Sequence, residues 1–400
     1  MTTELKPTMR GNKGFGSTGI STCLVTNDNN DITNKVSNRS DTKTYSYDDA
    51  VKQFGYNPIK EYSDVFPEKM PTDIPPLKKI NHTIDLIDKD KHRHMRPRRI
   101  LPSEAFLLQL RDKINAELET VRIYPAQDSA ACSMFMIKIH DKQNEARFLH
   151  DLVDHNANTR KNNTPIPDIP SIMNTVARHP YRSKIDLTDG YHNVRIEPES
   201  EEFTSSYTPF RTFRTRVKQQ GDCNAPATFM KLMNWIFVEQ IGRDVYVYLD
   251  DILIFSKPKE EHIASLKTVC KKLRQHKLFG NRSKTMTLPD ALSIQGHTIM
   301  SQGLSAEPQK ILKVDNWSTP TKRKELQGFM GMVNYLSTYV PHLETVAAPL
   351  TRLCGDTVQF KWEPIHHASL QQVKDIISAE AILKPINYES TDPRFLITNA

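Results

Sequence analysis

The sequence predicts a fold of the α+β class, with an antiparallel sheet and a mostly helical C-terminal part. Between residues 103 and 278, segments typical of β-strands are interspersed with amphipathic helical segments. One of them, VYVYLDDILIF at 245–255, has the pattern of two apolar strands joined by a tight turn. From residue 308 onward the apolar periodicity is mostly helical.

The composition excludes several classes of protein. The 400 residues include 54 Lys and Arg against 47 Asp and Glu, for a net charge of +7 that suits an anionic partner. At roughly 100–200 residues per domain, two or three domains are expected. No apolar run approaches the roughly 18 residues of a spanning helix, which excludes a membrane protein, and the N-terminus lacks a secretory signal, which predicts an intracellular setting. The 5 cysteines form no CxxC pair, so neither a disulfide framework nor a structural zinc site is expected.

The N-terminal quarter is predicted to be poor in regular structure. Residues 1–45 are polar and lack apolar periodicity, which predicts a disordered tail. The GxGxxG match at 14–19 lacks the flanking strand and helix of a dinucleotide loop, so we interpret it as part of that tail. Residues 46–101 are Pro-rich and predict an extended lead-in, with a short strand at 80–87.

The remaining elements follow from apolar spacing. Helices are predicted at 103–120, 225–239, 260–278, 308–317, 322–339 and 365–379. Strands are predicted at 133–140, 146–153, 181–187, 191–196 and 212–217, in addition to the hairpin at 245–255.

The paired acids Asp250 and Asp251 lie at the predicted turn of that hairpin. Two adjacent carboxylates at a buried turn repel each other and resist desolvation, and a divalent cation such as Mg²⁺ relieves both penalties. A solvent-exposed Asp-Asp turn without a metal is the alternative interpretation.

A third acid favours the metal site. Asp186 ends an apolar strand and is followed by the turn residue Gly190. If Asp186 lies beside Asp250 and Asp251, the three carboxylates can hold two metal ions and support in-line phosphoryl transfer. The sequence alone does not establish that contact, which is therefore the central structural prediction.

At this point the motifs resemble a known family. Tyr248-Leu-Asp-Asp251 matches the YxDD box of reverse transcriptases, and the chain from about residue 64 resembles the polymerase of gypsy-class long-terminal-repeat retrotransposons, especially fungal ones. The matching segments occur in order at 63–67, 145–170, 183–198, 219–234, 245–256, 260–263, 295–299 and 324–336.

The resemblance implies a right-hand polymerase of fingers, palm and thumb that adds dNTPs to a primer on an RNA or DNA template. The implied cofactor is Mg²⁺, with Mn²⁺ as an alternative. The implied regions are fingers and palm at 102–282, a thumb at 283–345, and the start of a connection or RNase H-like region at 346–400, truncated before RNase H. The implied setting is the cytoplasm, a virus-like particle or the nucleus, with no membrane partner and an undetermined oligomeric state.

The resemblance also implies roles for individual residues. Asp186, Asp250 and Asp251 would be the catalytic, metal-binding acids. The implied nucleotide-binding residues are Lys138, Arg147, Asp189, Gly190, Tyr191, Gln220 and Gly221. The implied template and primer contacts are Asn224, Pro226, Phe229, Tyr248, Gly296 and His297. Tyr191 would exclude a 2′-OH and so favour deoxynucleotides, although a role as a core aromatic is its alternative.

Some positions depart from the family pattern, and because of these departures two alternative functions remain. Lys218 stands where Met is common, and the basic stretch of the thumb is replaced by Tyr335-Leu-Ser-Thr-Tyr339. A catalytically decayed remnant that only binds nucleic acid is therefore an alternative, since lost phosphate contacts weaken binding. An RNA-templated RNA polymerase is a second alternative, against which Tyr191 and the YxDD form argue. The two histidines of 150–155 resemble a metal motif, but their side chains need not converge.

Overall fold

A computed structural model describes most of the chain. The described residues are 47–97, 104–138, 146–165, 167–190, 192–300, 303–340 and 343–379. They divide into two compact units, with the boundary between Glu307 and Pro308. The predicted tail at 1–45 and Tyr191 lie outside the described residues. Among the described residues, no helix has both the length and the apolar character needed to span a bilayer.

The unit before Pro308 contains helices and strands in mixed order. Its helices are α1 (Tyr47–Phe54), α2 (Pro58–Glu61), α3 (Lys89–Arg93), α4 (Glu104–Glu119), α5 (Val153–Ala157), α6 (Ile169–Ala177), α7 (Ala225–Ile236) and α8 (Lys259–Gln275). Its strands are β1 (Ile123–Ala126), β2 (Cys132–Lys138), β3 (Ala146–His150), β4 (Tyr181–Asp186), β5 (Ser206–Tyr207), β6 (Thr212–Thr215), β7 (Val245–Tyr248), β8 (Asp251–Ser256), β9 (Met286–Thr287), β10 (Ala291–Ile294), β11 (His297–Met300) and β12 (Gly303–Ala306).

The central sheet has the strand order β7-β8-β4-β9, and all of its pairings are antiparallel. β8 lies in the middle and is buried along its whole length, which explains why its sequence is a continuous apolar run after the acids. β7 alternates buried and half-buried residues, as expected of a strand with one covered face.

Helices α7 and α8 cover one side of this sheet. Their buried residues join the strand residues Ile185, Val247 and Ile252 in one hydrophobic cluster. The same cluster includes Phe54, Ile59 and Phe66 from the N-terminal region. The predicted extended lead-in is therefore wrong in part, because α1 and α2 are helical and bury their apolar residues in the core that carries the sheet.

Two further sheets complete this unit. A five-stranded sheet has the order β1-β6-β5-β2-β3, and α4 packs against it through Leu110 and Ile114, which contact Phe213. A three-stranded antiparallel sheet is formed by β10, β11 and β12. Its first turn is Gln295-Gly296, with positive φ angles of 48° and 83° that match a type I′ hairpin.

The unit that starts at Pro308 is helical where it is described, as the sequence predicts. Its helices are α9 (Pro308–Asp315), α10 (Arg323–Leu336), α11 (Leu343–Leu353) and α12 (Pro364–Ser378). Trp317 packs edge-on against Phe329 with ring centroids 5.7 Å apart. Lys374 Nζ donates to the carbonyls of Asp315 and Trp317 at 2.9 and 2.6 Å, so α12 is tied to the end of α9.

One predicted strand is absent from the described residues. The described part of this segment, 192–196, forms a turn with bridges only at Arg195 and Ile196. The Asn193 amide donates to the Thr188 carbonyl at 2.9 Å, and its backbone N–H donates to Asp189 at 3.1 Å. These local bonds satisfy the backbone without a strand partner.

Candidate active site

The hairpin of β7 and β8 places the paired acids at its turn, as predicted. Tyr248 pairs with Asp251, and Leu249 and Asp250 form the turn between them. Leu249 has a φ of 51°, in the left-handed region that a branched side chain rarely adopts. Its N–H lies 3.3 Å from the Met230 sulfur on α7. The turn is thus held in a strained conformation against the helix beneath it.

The structure brings the third acid to the same end of the sheet. In the antiparallel register of β4 and β8, Asp186 is the direct partner of Asp251. The next residue, Leu187, donates its N–H to the carbonyl of Asp250 at 2.8 Å. The predicted juxtaposition of Asp186, Asp250 and Asp251 is therefore confirmed.

Burial and mutual repulsion destabilise the charged forms of Asp186 and Asp250. Burial, together with the charges of Asp186 and Asp251, raises the pKa of Asp250 to about 6. Burial also raises the pKa of Asp186, and the charge of Asp251 adds to this effect. Asp250 Oδ1 is buried and accepts no hydrogen bond within the described part of the chain.

Two lysines partly neutralise the cluster. Lys184 Nζ lies 3.1 Å from Asp251 Oδ1, and Lys284 Nζ lies 3.6 Å from Asp186 Oδ1. The motif comparison did not identify either lysine. Lys184 could have been found from its spacing, since residues i and i+2 of a strand share a face and Lys184 precedes Asp186 by two. Nothing in the local sequence indicates Lys284.

The three acids fit a hard divalent cation by their chemistry. Mg²⁺ prefers carboxylate oxygens, and Asp250 Oδ1 lacks any described donor that a cation would have to displace. Among the described residues, no three acidic, histidine or cysteine side chains already surround one ion position. Since Asp186 and Asp251 are paired with lysine ammonium groups, a bound cation would compete with those pairs.

Gly190 lies directly against Asp250. A Cβ atom at Gly190 would be 2.5 Å from Asp250 Oδ1 and 3.1 Å from Phe229 Cζ. Only glycine therefore allows the backbone after β4 to approach the acid this closely. Below this contact, Lys218 is fully buried, lies over the Phe229 ring at 5.0 Å and donates to the Ala225 carbonyl at 2.7 Å.

Several predicted nucleotide-binding residues lie near the acids. Asp189 precedes Gly190 and has a positive φ of 49°. Asp189 and Gln220 both line a cavity of about 370 Å³ between α4 and the five-stranded sheet. Gln220 and Gly221 are exposed in the loop before α7. The backbones of Lys138 and Arg147 are in the paired strands β2 and β3, but their side chains lie outside the described part of the structure.

The predicted template and primer residues fall into two groups. Pro226 and Tyr248 are half-buried, and Gly296 and His297 are at the β10–β11 turn. Next to them, Gln295 Nε2 lies 3.5 Å from Asp251 Oδ2, which connects this turn to the acids.

Asn224 and Phe229 are both buried. Asn224 is 6% exposed, and its side chain bonds to the backbones of Arg160 and Asn162 at 2.8 Å each. Phe229 is completely buried beneath Gly190 and Lys218. Both side chains are surrounded by protein, and their contact with a template stays a prediction.

The histidine motif at 150–155 does not converge. His150 Nδ1 lies 2.9 Å from Ser206 Oγ, whereas His155 Nε2 lies 3.9 Å from Asp222 Oδ2. The two imidazoles thus have different partners.

Comparison with known proteins identifies the class. Residues 132–299 match the family model described as reverse transcriptase (RNA-dependent DNA polymerase). The Tf2-3 and Tf2-7 transposon polyproteins of Schizosaccharomyces pombe are each 27% identical to this chain over 330 residues, which are 82% of this chain and 24% of each polyprotein. The chain thus spans about a quarter of the length of these curated relatives.

Solved structures show the same fold. The foamy viral protease-reverse transcriptase in complex with an RNA/DNA hybrid superposes with a TM-score of 0.74 at 20% identity, over 87% of this chain and 46% of that chain. The same viral protein in complex with dsDNA gives a TM-score of 0.73 at 19% identity, over 87% and 72% of the two chains. The predicted α+β polymerase fold is confirmed.

The fold and the family match together define a reverse transcriptase domain. The family match over 132–299 and the polyprotein relatives support the resemblance of this chain to the reverse transcriptases of retrotransposons.

Proposed function

We propose that this chain is an RNA-directed DNA polymerase that adds dNTPs to a primer 3′-OH on an RNA or DNA template. The observation that carries the proposal is the meeting of Asp186, Asp250 and Asp251 at one end of the central sheet. The nucleic-acid partners are supported by the foamy viral relatives, which were solved with an RNA/DNA hybrid and with dsDNA.

The acids would hold Mg²⁺, or Mn²⁺ as an alternative. When bound, such ions lower the pKa of the attacking hydroxyl and stabilise the leaving phosphate oxygen. The raised pKa of Asp250 supports this role, because a cation would stabilise the carboxylate that burial disfavours. The backbone turn at Asp189 and Gly190 would hold the triphosphate beside these acids.

The remaining contacts are proposed from position in the fold. Lys138 and Arg147 would contact phosphate, Gln220 and Gly221 would pack on the nucleotide, and Tyr191 would exclude a 2′-OH. Pro226 and Tyr248 would face the template and primer, and the turn at Gly296 and His297 would position the primer end. Asn224 and Phe229 would support these residues from within the protein.

The domain boundaries are also proposals. We assign 102–282 to fingers and palm, 283–345 to the thumb, and 346–400 to the start of a connection or RNase H-like region. The boundary between the two compact units, at Glu307 and Pro308, falls inside the proposed thumb. The proposed setting is inside the cell, in the cytoplasm, a virus-like particle or the nucleus, because the relatives are transposon polyproteins.

Primer extension tests the proposal. The purified chain should extend a DNA primer on an RNA or DNA template with dNTPs and Mg²⁺, and Asp186→Asn should abolish extension by removing a metal ligand. Asp290→Asn is the matched control, because Asp290 is exposed on the loop before β10. No extension by the parent chain, or full extension by Asp186→Asn, would contradict the proposal.

A remnant that binds nucleic acid without copying it is the second candidate. It is favoured by Tyr335-Leu-Ser-Thr-Tyr339, because the loss of the family's basic residues there is the kind of departure expected of a decaying enzyme, although the loss also weakens nucleic-acid binding. Retained binding of primed template without extension under Mg²⁺ or Mn²⁺ would support this candidate. Comparison of dNTPs with NTPs in the same assay would distinguish both of these candidates from an RNA polymerase, which would use NTPs.

A further inference from the structure

A buried cluster of ionisable groups lies outside the acid site. The Asp222 side chain is 4% exposed, and the imidazoles of His82 and His155 on either side of it are 1% and 3% exposed. His82 Nε2 lies 3.4 Å and His155 Nε2 lies 3.9 Å from the same oxygen, Asp222 Oδ2. The three residues come from the lead-in, from α5 and from the loop before α7, so the cluster joins segments that are distant in sequence.

The carboxylate of Asp222 is kept charged by its surroundings. Although burial raises its pKa, the interaction with His82 and the N–H of Asn224, which donates to Asp222 Oδ1 at 2.8 Å, bring the pKa below its usual range. Burial lowers the pKa of His155 to about 4, so its imidazole is neutral near pH 7.

Two further residues face the cluster. His82 Nδ1 lies 3.1 Å from Thr228 Oγ1 on α7. The ring of His92 meets that of His155 edge-on, with centroids 6.0 Å apart. A buried carboxylate with these polar neighbours is costly to remove or to move, because its partners would then be left unsatisfied.

Asp222 belongs to the segment 219–224, which we call the anchor loop. Asn156 bonds to it twice, donating to the Gly221 carbonyl and accepting from the Cys223 N–H, at 2.9 Å each. The Gln219 amide donates to the Thr204 carbonyl at 3.0 Å. Gln220 and Gly221 are the exposed residues of the loop. One side of the anchor loop is therefore fixed inside the protein, and the other presents the residues proposed to contact the nucleotide.

We propose that Asp222 is a positioning residue for nucleotide binding: its buried carboxylate, between His82 and His155, fixes the anchor loop so that Gln220 and Gly221 keep one geometry. The inference rests on the proposed polymerase function. The Asp222 side chain is on the buried side of the anchor loop, opposite the exposed Gln220 and Gly221, so it would act through them and not on the substrate itself.

The test compares Asp222→Asn with Asp154→Asn. Asparagine keeps the shape of aspartate but not its charge, and Asp154 is an exposed carboxylate on α5 that serves as the control. In steady-state extension, Asp222→Asn should raise the KM for dNTP by about tenfold and change kcat by less than about threefold. A merely structural defect would instead lower the active fraction and leave KM unchanged.

Hydrogen exchange of backbone amides provides a readout that does not depend on polymerase activity. Asp222→Asn should increase exchange across 219–226 and leave α8 as protected as in the parent chain. If exchange also rises in α8, Asp222→Asn has lost structure beyond the anchor loop. His155→Gln then replaces Asp222→Asn as the deciding variant under the same criteria.

The outcomes separate the two proposals. An unchanged KM together with unchanged exchange in the anchor loop, in an extending enzyme, would overturn the positioning role. Absence of extension by the parent chain would overturn the polymerase proposal, while faster exchange confined to the loop in Asp222→Asn would still support the anchoring.

Discussion

Asp250 shows how a site suited to a cation is built at a cost in stability. Its pKa is raised to about 6 by burial and by the neighbouring acids, so the folded chain binds a proton there more tightly than the unfolded chain, whose pKa is near 3.8. Above pH 6 the folded protein therefore carries an unfavourable charge when no cation is bound. The same residue would be stabilised by the ion that the reaction needs.

Asp250→Asn should make the protein inactive and more stable. The amide removes the buried charge, so at pH 7.5 in EDTA we expect the free energy of unfolding to rise by on the order of 1 kcal/mol. The thermal midpoint and primer extension are measured on the same preparation, with Asp290→Asn beside it. A lower midpoint for Asp250→Asn would show that the carboxylate stabilises the metal-free fold.

Gly190 is required for the contact with that acid. Gly190→Ala places a methyl group 2.5 Å from Asp250 Oδ1 and against the Phe229 ring, so either the acid or the turn must move. We expect at least a tenfold loss of extension, on the order expected for displaced catalytic groups. Gly331→Ala is the control, because a Cβ at Gly331 meets nothing within 4 Å. Normal activity of Gly190→Ala would mean that the turn has room to adjust.

The elements that were predicted correctly have a clear apolar pattern in their own sequence. The apolar runs on either side of Asp250 and Asp251 determine a hairpin, and the register of β4 on β8 follows because Ile185 and Ile252 must both be buried. The elements that were missed have weak signals. Helix α6 begins with Ile-Pro, and β10 to β12 contain only four residues each.

The three acids of the site could be predicted because they lie in recognisable motifs and their chemistry suits a metal. The residues that contact them from distant parts of the sequence could not be predicted. The juxtaposition of the three acids follows from their positions at strand ends. The pairing of Lys284 with Asp186, the approach of Gln295 to Asp251 and the burial of Asp222 between two histidines depend on tertiary packing. No local spacing relates these partners, so only the folded chain reveals them.

The turn between β10 and β11 offers a test of element stability. Both turn residues have positive φ, and type I′ turns favour Asn-Gly, whereas the chain has Gln295-Gly296. Gln295→Asn should raise the free energy of unfolding by about 0.5 kcal/mol, since asparagine tolerates this conformation better than glutamine. Gly296→Ala should lower it by about 1 kcal/mol.

Urea denaturation of both turn variants measures these changes. The opposite signs make each variant the control for the other. Equal effects of the two substitutions would indicate that the turn conformation does not limit stability. Extension is not the readout here, because Gln295 also lies near Asp251.

Buried histidines dominate the expected response of the fold to acid. Burial lowers the pKa of His150 and His155 to about 4 and that of His262 to about 3. The unfolded chain binds these protons near pH 6.5, so between pH 6.5 and pH 4 it binds more protons than the folded chain, and stability falls as the pH falls. Asp250 acts in the opposite direction between pH 6 and 3.8, and so does Asp186, whose pKa is also raised by burial, but these two groups are outnumbered by the three histidines.

We therefore expect the thermal midpoint to fall by at least about 5 °C between pH 7 and pH 5.

His262 is the most informative position, because its ring is fully buried and its Nε2 lies 2.8 Å from Ser183 Oγ on β4. Glutamine can keep a bond to that hydroxyl but cannot take up a proton, so His262→Gln should reduce the dependence of the midpoint on pH. His367→Gln, at an exposed position of α12, should leave it unchanged. A midpoint that stays constant from pH 7 to pH 5 in the parent chain would show that these imidazoles become solvated before the fold is lost.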